Sequence, residues 1–473
     1  MLTRRSFMRT SMALSLVGSG GILSSGAATN PIFELRAGKI RKSLAGPGQP
    51  ESELWVYNGT SPGPEIRVRQ GDRVRVRFIN DLDEPTSVHW HGIRIDNAMD
   101  GVSGLTQDPV PPGGRFDYDF VVPDAGTFWY HAHNMSWQQV TRGLYGPLIV
   151  EEKQKVFDLE HERTLMIDDW RLNREGALDV ASLGSLMDWS HAGRLGNWLT
   201  VNGQSAPRFD LNAGESYRIR LINACNARVL QISPKAMNAS VLAYDGFPLQ
   251  KSNEPSPDIA YLAPAQRVDL LVNGSASGQA QLNDIGDFAL QELSGGNALS
   301  MAIFRFTNPP STMAQMATAL PANRVEAPDL ANALRVPLVM EGGAMGRMGD
   351  VTHQGKRMTR ADIRRTKQVW ALNGIANVAD EPLFRVERGK SVVIKTENNT
   401  GWLHGMHVHG HHFQILSRQR EDLPVMEWRD TFVIDRDEVV EIGFVANNPG
   451  KWLLHCHMLE HAAAGMTTWF EVT

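Results

Sequence analysis

Hydrophobic and polar residues alternate along short stretches of this chain, which is the pattern of strands with one buried face. Examples are the runs Val74-Arg-Val-Arg-Phe78 and Tyr217-Arg-Ile-Arg-Leu221. Glycines and Asn-Gly pairs bound such runs, as expected for antiparallel strands joined by tight turns. Stretches with the 3.6-residue period of a helix are short, and the 473 residues include 25 prolines and 43 glycines. The pattern predicts an all-β protein built of sandwich or barrel domains.

One frame recurs three times along the chain. It starts with a tryptophan followed closely by an Asn-Gly pair, at residues 55–59, 198–203 and 370–374. A glycine comes next, and an asparagine stands nine positions after it: Gly71 and Asn80, Gly214 and Asn223, Gly389 and Asn398. We therefore expect three copies of one β-domain, over residues 30–152, 153–308 and 365–473.

Composition adds little to this picture. Hydrophobic residues make up 42% of the chain and charged residues 21%, with a net charge of −5. That balance does not favour a nucleic-acid partner or binding to an anionic membrane. The first apolar run is short and diluted by glycine and serine, and no other run approaches the ~18 residues that indicate a membrane span.

Histidines are concentrated in four His-X-His pairs. Random placement of 15 histidines in 473 residues would give only about 0.5 such pairs. In a strand both histidines of a pair point to the same face, as two ligands of one metal site do. The pairs are His89 and His91, His131 and His133, His407 and His409, and His455 and His457.

The repeat places these pairs in register. The first pair lies nine and eleven positions after Asn80, and the third pair lies nine and eleven positions after Asn398. The same offsets from Asn223 give Ile232 and Pro234. We therefore expect metal ligands in the first and third copies and none in the middle copy.

A different ligand type joins the fourth pair, because Cys456 lies between its two histidines and is followed by His461 and Met466. Alternation along a strand turns Cys456 away from its neighbours, so two metal sites can share three consecutive residues. A thiolate with two imidazoles and a distant thioether is the ligand set of a blue copper site. When the copies are aligned, Ala132 of the first copy corresponds to Cys456 of the third, so the blue site is predicted in the third copy alone.

These motifs resemble those of the three-domain multicopper oxidases, the family of laccases and bacterial cuprous oxidases. The matching segments are His-Trp-His-Gly at 89–92, Trp-Tyr-His-Ala-His at 129–133, His404-x-x-His407-x-His409-Gly410 and His455-Cys-His457-x3-His461-x4-Met466. The resemblance implies three consecutive cupredoxin-like Greek-key domains that hold four copper ions. It also implies an oxidoreductase that couples four one-electron oxidations to the reduction of O2 to two waters.

The family's motifs further imply a role for each ligand. Type 1 copper would be bound by His404, Cys456, His461 and, axially, Met466. Type 2 copper would be bound by His89 and His407. The two type 3 coppers would be bound by His91, His131, His133, His409, His455 and His457.

Four more residues near these motifs are interpreted through the resemblance. Asp100 lies where the family has an acid near the copper cluster, and we expect it to relay protons or to orient a ligand histidine. An exposed turn residue beside Gly101 is the alternative for Asp100. Several bacterial relatives have a glutamate after the last type 1 histidine, where this chain has Ala462, so that proton route is not expected here. We interpret His411 and His412 as structural residues or partners of the ligands.

The reducing substrate stays open between a phenol or aromatic amine, as for a laccase, and Cu(I), as for a cuprous oxidase. Two other classes of protein compete with an enzyme. The intact ligand set argues against a copper-free scaffold. A copper-binding envelope protein or buffer without turnover would have no use for Cys456 between two cluster ligands. The expected partners are O2 and one small reductant, and we expect a monomer.

The N-terminus resembles a targeting signal. Thr3-Arg-Arg-Ser-Phe-Met-Arg9 precedes a weakly apolar run and small residues up to Ala28, which is the pattern of a twin-arginine export signal. We assign residues 1–29 to this signal and expect a periplasmic or otherwise exported protein. The chain has two cysteines. Since Cys456 is needed as a thiolate, we expect no disulfide, and Cys225 as a small buried residue.

Residues 309–364, between the second and third copies, do not resemble the strand pattern of the copies. They include Met313, Met316, Met340, Met345, Met348 and Met358. Thioethers are soft ligands for Cu(I), so the segment is either a Cu(I) site near the type 1 copper or a linker with incidental methionines.

Overall fold

Paired strands are the main secondary structure of this computed structural model. It describes residues 32–212, 215–234, 237, 239–249, 258–273, 286–294, 296–307, 319–420 and 426–473. Within those residues the strands fall into three successive groups, and each group is a sandwich of two sheets. The predicted all-β fold is therefore confirmed. The export signal predicted at 1–29 lies outside the described residues.

Eight strands form the first sandwich: β1 (Ile32–Lys42), β2 (Ser52–Tyr57), β3 (Ile66–Arg69), β4 (Arg73–Asn80), β5 (Val88–His91), β6 (Arg115–Val121), β7 (Gly126–Ala132) and β8 (Tyr145–Glu151). Their order is β2-β1-β4-β6 in one sheet and β3-β8-β7-β5 in the other. A short helix, α1 (Ser136–Gln139), lies between β7 and β8.

The second sandwich contains β9 (Glu162–Trp170), β10 (Trp198–Val201), β11 (Arg208–Asn212), β12 (Ser216–Asn223), β13 (Leu230–Ser233), β14 (Ala239–Tyr244), β15 (Phe247–Pro248), β16 (Ile259–Leu262), β17 (Arg267–Asn273), β18 (Gly286–Glu292) and β19 (Leu299–Thr307). The sheets have the orders β10-β9-β12-β17-β14-β15 and β11-β19-β18-β13-β16. Helix α2 (Leu186–Ser190) precedes β10.

The third sandwich contains β20 (Leu334–Gly342), β21 (Thr352–His353), β22 (Lys356–Arg357), β23 (Trp370–Leu372), β24 (Arg385–Val386), β25 (Ser391–Asn398), β26 (His404–Val408), β27 (Phe413–Arg418), β28 (Trp428–Arg429), β29 (Thr431–Ile434), β30 (Val439–Val445), β31 (Gly450–Cys456) and β32 (Thr467–Val472). Its sheets have the orders β23-β20-β25-β30-β27-β28 and β24-β32-β31-β26-β29, with β21 and β22 as a separate hairpin. Helices α3 (Arg360–Thr366) and α4 (Leu459–Ala463) complete the group. None of the helices in the described part of the chain is long and apolar enough to cross a membrane.

The same two parallel strand pairs recur in each sandwich. In one sheet β1 runs parallel to β4, β9 to β12 and β20 to β25. In the other sheet β3 runs parallel to β8, β11 to β19 and β24 to β32. Neighbours in a sheet that are distant in sequence indicate the long connections of a Greek key. The alternating runs at 74–78 and 217–221 were expected in antiparallel strands, but each also has one parallel neighbour.

The alternation of apolar and polar residues predicts the buried side chains correctly on β4 but not on β12. On β4, Val74, Val76 and Phe78 are buried. The arginines between them face outward and pair with aspartates of β6. On β12, Arg218 and Arg220 are also fully buried. This face of β12 packs against the first sandwich, and the guanidinium groups pair there with buried carboxylates.

The Asn-Gly pairs form the predicted tight turns. Asn58, Asn202 and Asn373 have φ of 50°, 51° and 50°, and the glycine after each also has a positive φ, as a type I′ turn requires. Each asparagine Oδ1 accepts a hydrogen bond from a backbone N–H on the first strand of its own sandwich. For Asn373 that donor is Val339, on β20.

The third sandwich begins earlier than predicted. β20 pairs with β25 and β23, so residues 334–342 are the first strand of this sandwich and not part of a linker over 309–364. Pro337 lies in the middle of the strand, and proline usually argues against a paired strand because it has no N–H to donate. The boundary predicted at 365 is therefore wrong for this segment.

The sheets bring the paired histidines together. β5 lies beside β7 with His89 opposite His131, and β26 lies beside β31 with His407 opposite His455. At the corresponding position of the middle sandwich, Ile232 is buried in the core on β13. Ligand strands are thus neighbours within each outer sandwich.

Candidate metal centres

One thiol and two imidazoles converge in the third sandwich. Cys456 Sγ lies 3.6 Å from His404 Nδ1 and 3.9 Å from His461 Nδ1. All three side chains are buried. Met466 is fully buried as well, and its backbone carbonyl accepts the Cys456 N–H at 3.0 Å. Three of the predicted type 1 ligands therefore come together from β26, β31 and α4, and the backbone of the fourth, Met466, is hydrogen-bonded to that of Cys456.

The outer nitrogens of both imidazoles have partners of their own. His461 Nε2 lies 2.7 Å from the backbone carbonyl of His191, and since a carbonyl only accepts, this nitrogen carries the proton. His404 Nε2 lies 2.8 Å from the hydroxyl of Thr400, which itself donates to Asn398 Oδ1 at 2.7 Å. The hydroxyl therefore accepts from His404. The two Nδ1 atoms are then lone pairs 3.1 Å apart, an arrangement that a bound cation stabilises.

Eight histidines from the first and third sandwiches form a second cluster. Neighbouring ring centroids lie between 3.8 and 6.0 Å apart, and all of the rings except that of His133 are buried. Several groups of three have ring nitrogens within 4.8 Å of one another. The members are His89, His91, His131, His133, His407, His409, His455 and His457.

Two pairs of ring nitrogens face each other in this cluster. His409 Nε2 lies 3.1 Å from His455 Nε2, and His131 Nε2 lies 3.4 Å from His457 Nε2. His131 and His455 each direct Nδ1 at the carbonyl of the following residue. Their protons are therefore on Nδ1, and their Nε2 atoms offer lone pairs to a metal.

Backbone carbonyls orient the two predicted type 2 ligands. His89 Nδ1 donates to the carbonyl of Asp100 at 2.8 Å, and His407 Nδ1 donates to the carbonyl of Asp430 at 2.9 Å. Within the described residues, the Nε2 atoms of both histidines are buried and have no hydrogen-bond partner. A buried acceptor without a partner is costly, so these lone pairs fit a metal ion.

Asp100 is fully buried at the edge of the cluster. Its carboxylate lies 3.0 Å from His409 Nδ1 and 3.3 Å from His89 Nδ1. The alternative of an exposed turn residue is therefore wrong. Asp100 contacts predicted ligands from both outer sandwiches.

Asp430 is a second buried acid at the cluster, and sequence reasoning missed it. It lies between β28 and β29, with Oδ1 3.3 Å from His91 Nε2. Arg267, at the start of β17 in the middle sandwich, donates to both carboxylate oxygens at 2.9 and 2.6 Å. His91 therefore donates from Nε2 and leaves its buried Nδ1 without a partner among the described residues. No histidine pair or shared offset in the sequence marks Asp430.

Burial favours the neutral form of several imidazoles in both sites. It lowers the pKa of His461 and His455 to about 4. Burial and then the repulsion of neighbouring imidazoles lower the pKa of His91 and His407 well below the ordinary value. Burial also raises the pKa of the Cys456 thiol to about 12, so the thiolate needs the compensating charge of a metal. Neutral imidazoles, a thiol and unpartnered lone pairs together fit copper.

His411 and His412 support the backbone beside the ligands. His411 Nδ1 lies 3.3 Å from the carbonyl of His409, and His412 Nε2 lies 2.7 Å from the carbonyl of Gly92. Burial lowers the pKa of His411 to about 3 and that of His412 to about 4. These contacts agree with a structural interpretation of both residues.

The segment that follows α2 covers the blue-site imidazoles. His404 and His461 have 0% exposure, and the carbonyl of His191 occupies the outer nitrogen of His461. The His191 ring is half-buried, 5.5 Å from the ring of Trp402. Ala344 N–H donates to the carbonyl of Ser190 at 2.6 Å, which brings the turn after β20 beside His191.

Two exposed methionines flank this covering segment. Met345 follows Ala344 and is 81% exposed, and Met187 lies on α2 and is 62% exposed. Met340 is fully buried on β20, so it cannot be a surface ligand for Cu(I), and that part of the expectation is wrong. Met348 and Met358 are half-buried, and Met313 and Met316 lie outside the described residues. Cys225 is buried as predicted, and both cysteines are free.

An open cavity of about 320 Å³ reaches the histidine cluster from another side. His133 and His455 line it, together with Trp137, Trp189 and Ser103. The cavity is large enough for a small molecule such as O2 to approach the cluster.

Known proteins resemble the chain over nearly its full length. Two family models described as multicopper oxidase match residues 40–155 and 351–473. The chain is similar to the multicopper oxidase MmcO of Mycobacterium tuberculosis, with 29% identity over 89% of this chain and 83% of that protein. It is also similar to crystal structures of multi-copper oxidases from Pseudomonas thermotolerans and Pseudomonas parafulva, with 32% identity to each and TM-scores of 0.79 and 0.78. These comparisons cover 94% and 93% of this chain and 100% of both solved chains.

Proposed function

We propose that this chain oxidises Cu(I). It belongs to the multicopper oxidases, which are oxidoreductases that couple the oxidation of phenols or metal ions to the reduction of O2. Bound copper supplies sites that accept one electron at a time and deliver four electrons to O2. The proposal assigns type 1 copper to His404, Cys456, His461 and Met466, type 2 copper to His89 and His407, and type 3 copper to His91, His131, His133, His409, His455 and His457.

Cys456 connects the two sites in this proposal. It is bonded through its own backbone to His455 and His457, and both rings belong to the histidine cluster. His455 Nδ1 also donates to the Cys456 carbonyl at 2.9 Å. The chain thus offers electrons a short covalent path from the blue site to the cluster.

Asp100 is the proposed proton relay. Reduction of O2 to two waters consumes protons as well as electrons, and the cluster is buried. The Asp100 carboxylate lies 3.0 Å from His409 Nδ1, so it is placed to pass protons to the cluster that would hold the copper ions. Ala462 stands where relatives have a second acid, so this chain depends more heavily on Asp100.

The covered blue site is the observation that favours Cu(I). A phenol gives up its electron most readily in contact with an exposed imidazole edge, but His404 and His461 are fully buried. The covering segment instead offers the half-buried imidazole of His191. Exposed thioethers lie nearby along the chain, on Met187 of α2 and on Met345, which follows the Ala344 that donates to the Ser190 carbonyl. Imidazole and thioether are ligands that Cu(I) accepts. An ion bound there is linked to the blue site through the His191 carbonyl, which contacts His461.

Replacing both exposed methionines by leucine tests the substrate. Met187→Leu with Met345→Leu keeps the apolar volume nearly constant and removes only the thioethers. We expect the apparent KM for Cu(I) to rise about tenfold, as for ~1.4 kcal/mol of lost binding, with unchanged phenol kinetics. Met426→Leu is the matched control. Met426 is also exposed, at 55%, but it lines a separate cavity together with Phe247 and Trp428. Unchanged kinetics toward Cu(I) in the double variant would refute the proposed substrate site.

Phenol oxidation is the second candidate. The half-buried ring of Trp402 beside His191 offers an aromatic face on which a phenol can stack. Leucine substitution of the methionines would leave that activity intact, whereas Trp402→Leu would raise the KM for phenols. A KM for phenols that Trp402→Leu leaves unchanged would exclude stacking at this position.

Export and a monomeric state complete the proposal. The Arg4-Arg5 pair and the small residues before residue 30 support transport through the twin-arginine pathway to the periplasm. Replacing both arginines by lysine should keep the protein in the cytoplasm, and light scattering of the purified protein should give the mass of one chain. Normal export of the lysine variant or a larger mass would contradict these two points.

A further inference from the structure

Two buried aspartates frame the histidine cluster with matching contacts. Asp100 accepts from His89 with its backbone carbonyl and contacts His409 with its carboxylate. Asp430 accepts from His407 with its backbone carbonyl and contacts His91 with its carboxylate. Each aspartate thus touches one ligand from its own sandwich and one from the other outer sandwich. The contacts of both residues orient ligand rings from two sides.

The two aspartates differ in their charged partners. Among the described residues, the ion-pair partners of Asp100 are the two imidazoles. Asp430 is held in addition by Arg267, with distances of 2.9 and 2.6 Å to its two carboxylate oxygens. A bidentate guanidinium fixes both the charge and the orientation of a carboxylate.

Arg267 is itself fixed on every side. Its Nε donates to the carbonyl of Thr127 at 3.0 Å and its Nη1 to that of Ala265 at 3.1 Å. Gly92 packs against the ion pair with φ of +85°, and a Cβ there would lie 2.6 Å from both Arg267 Nη2 and Asp430 Oδ2. The Arg267 side chain is fully buried, so the pair cannot shift without disturbing the first sandwich.

We propose that Arg267, from the middle sandwich that holds no predicted copper ligand, is a positioning residue for the copper cluster. By holding Asp430, it keeps the carboxylate in place to accept from His91 Nε2–H, which leaves Nδ1 of His91 for the metal. The same contact fixes the peptide whose carbonyl orients His407, so Nε2 of that ring faces the type 2 position. The middle sandwich thereby contributes to copper binding without touching copper.

Copper binding by Arg267→Met tests this role. Loss of a residue that orients metal ligands typically weakens metal binding about 10- to 100-fold. We expect the type 2 signal in electron paramagnetic resonance to be lost on dialysis against a chelator under conditions in which wild-type protein keeps it. The blue absorption of the distant type 1 site should stay unchanged. Arg267→Lys should fall in between, because an ammonium group cannot form the bidentate contact.

Arg220→Met is the matched control. Arg220 is equally buried in the same sandwich and pairs with Glu162 and Asp269, but it touches no predicted ligand. Both methionine variants should lose folding stability, and only Arg267→Met should release type 2 copper. Equal retention of copper by wild type and Arg267→Met, or equal loss in Arg220→Met, would overturn the proposal. If Arg267→Met does not fold, Arg267→Lys and Asp430→Asn give the same comparison.

The inference rests on the proposed ligand roles of His91 and His407. His407→Ala separates the two failures. If this variant keeps the type 2 signal, the ligand assignment is wrong. If it loses the signal while Arg267→Met and Arg267→Lys both keep it, only the positioning role is wrong.

Discussion

Replacing Asn398 by alanine should alter the blue copper site, whereas the same change at Asn223 should leave it intact. Both side chains make the same contacts within their own sandwich. In each case Nδ2 donates to two backbone carbonyls and Oδ1 accepts the backbone N–H two residues further on. Alanine removes these contacts, and at about 1 kcal/mol each the free energy of unfolding should fall by ~3 kcal/mol in either variant.

Only Asn398 is connected to the predicted type 1 ligands. Its Oδ1 also accepts from the Thr400 hydroxyl at 2.7 Å, and that hydroxyl lies 2.8 Å from His404 Nε2. Without Asn398 the hydroxyl keeps only its longer contact to the Trp402 carbonyl, at 3.1 Å, so the acceptor of His404 Nε2 is held less firmly. In the middle sandwich the residue two positions after the asparagine is Cys225, whose N–H donates to Asn223 Oδ1. Cys225 is not a predicted ligand.

Chemical denaturation and absorption spectroscopy together check this prediction. Both variants should lose similar stability, but only Asn398→Ala should shift or weaken the charge-transfer band of the Cys456 thiolate. Thr400→Ala should reproduce the spectral change with a smaller loss of stability. The reasoning fails if Asn223→Ala perturbs the band as strongly, or if Asn398→Ala is destabilised and keeps an unaltered band.

Three further outcomes are expected. Cys456→Ser should abolish the blue colour and turnover while the type 2 and type 3 coppers stay largely bound, and a blue, active variant would contradict the type 1 assignment. Anomalous diffraction should locate copper in the first and third sandwiches only, and copper within residues 153–308 would show the register argument from Asn223 to be wrong. Asp100→Asn should slow reoxidation by O2 without slowing reduction of the blue copper, and an unchanged reoxidation rate would remove Asp100 as a relay.

The repeat made the ligand strands predictable because the same anchored loop precedes each of them. Asn80 and Asn398 donate to two backbone carbonyls in the same way, so equal offsets lead to equivalent positions on β5 and β26. The thiol is placed by alternation along β31, which needs no tertiary information. Local periodicity and internal repetition were therefore enough to predict which residues form the two clusters.

Features that depend on contacts between sandwiches were not predictable in this way. Arg218 and Arg220 follow the same alternation as the outward arginines of β4, but their face of the strand is covered by the first sandwich. Pro337 argued against a strand at the position of β20, whose parallel partner, β25, lies much later in the chain. The ion pair of Asp430 with Arg267 joins the third sandwich to the middle one. Each depends on which surfaces meet, and a single sequence does not encode that in any local pattern.

The position of the cluster between the two ends of the chain has a consequence for folding. His131 and His457 face each other although they are 326 positions apart in the sequence. A metal held by both closes a loop of that length, and in an unfolded chain such a closure costs about 5 kcal/mol of entropy. Copper bound there would therefore also act as a cross-link, since its binding would disfavour separation of the outer sandwiches. The metal-loaded chain should open as a single unit, whereas without metal the sandwiches are free to melt one at a time.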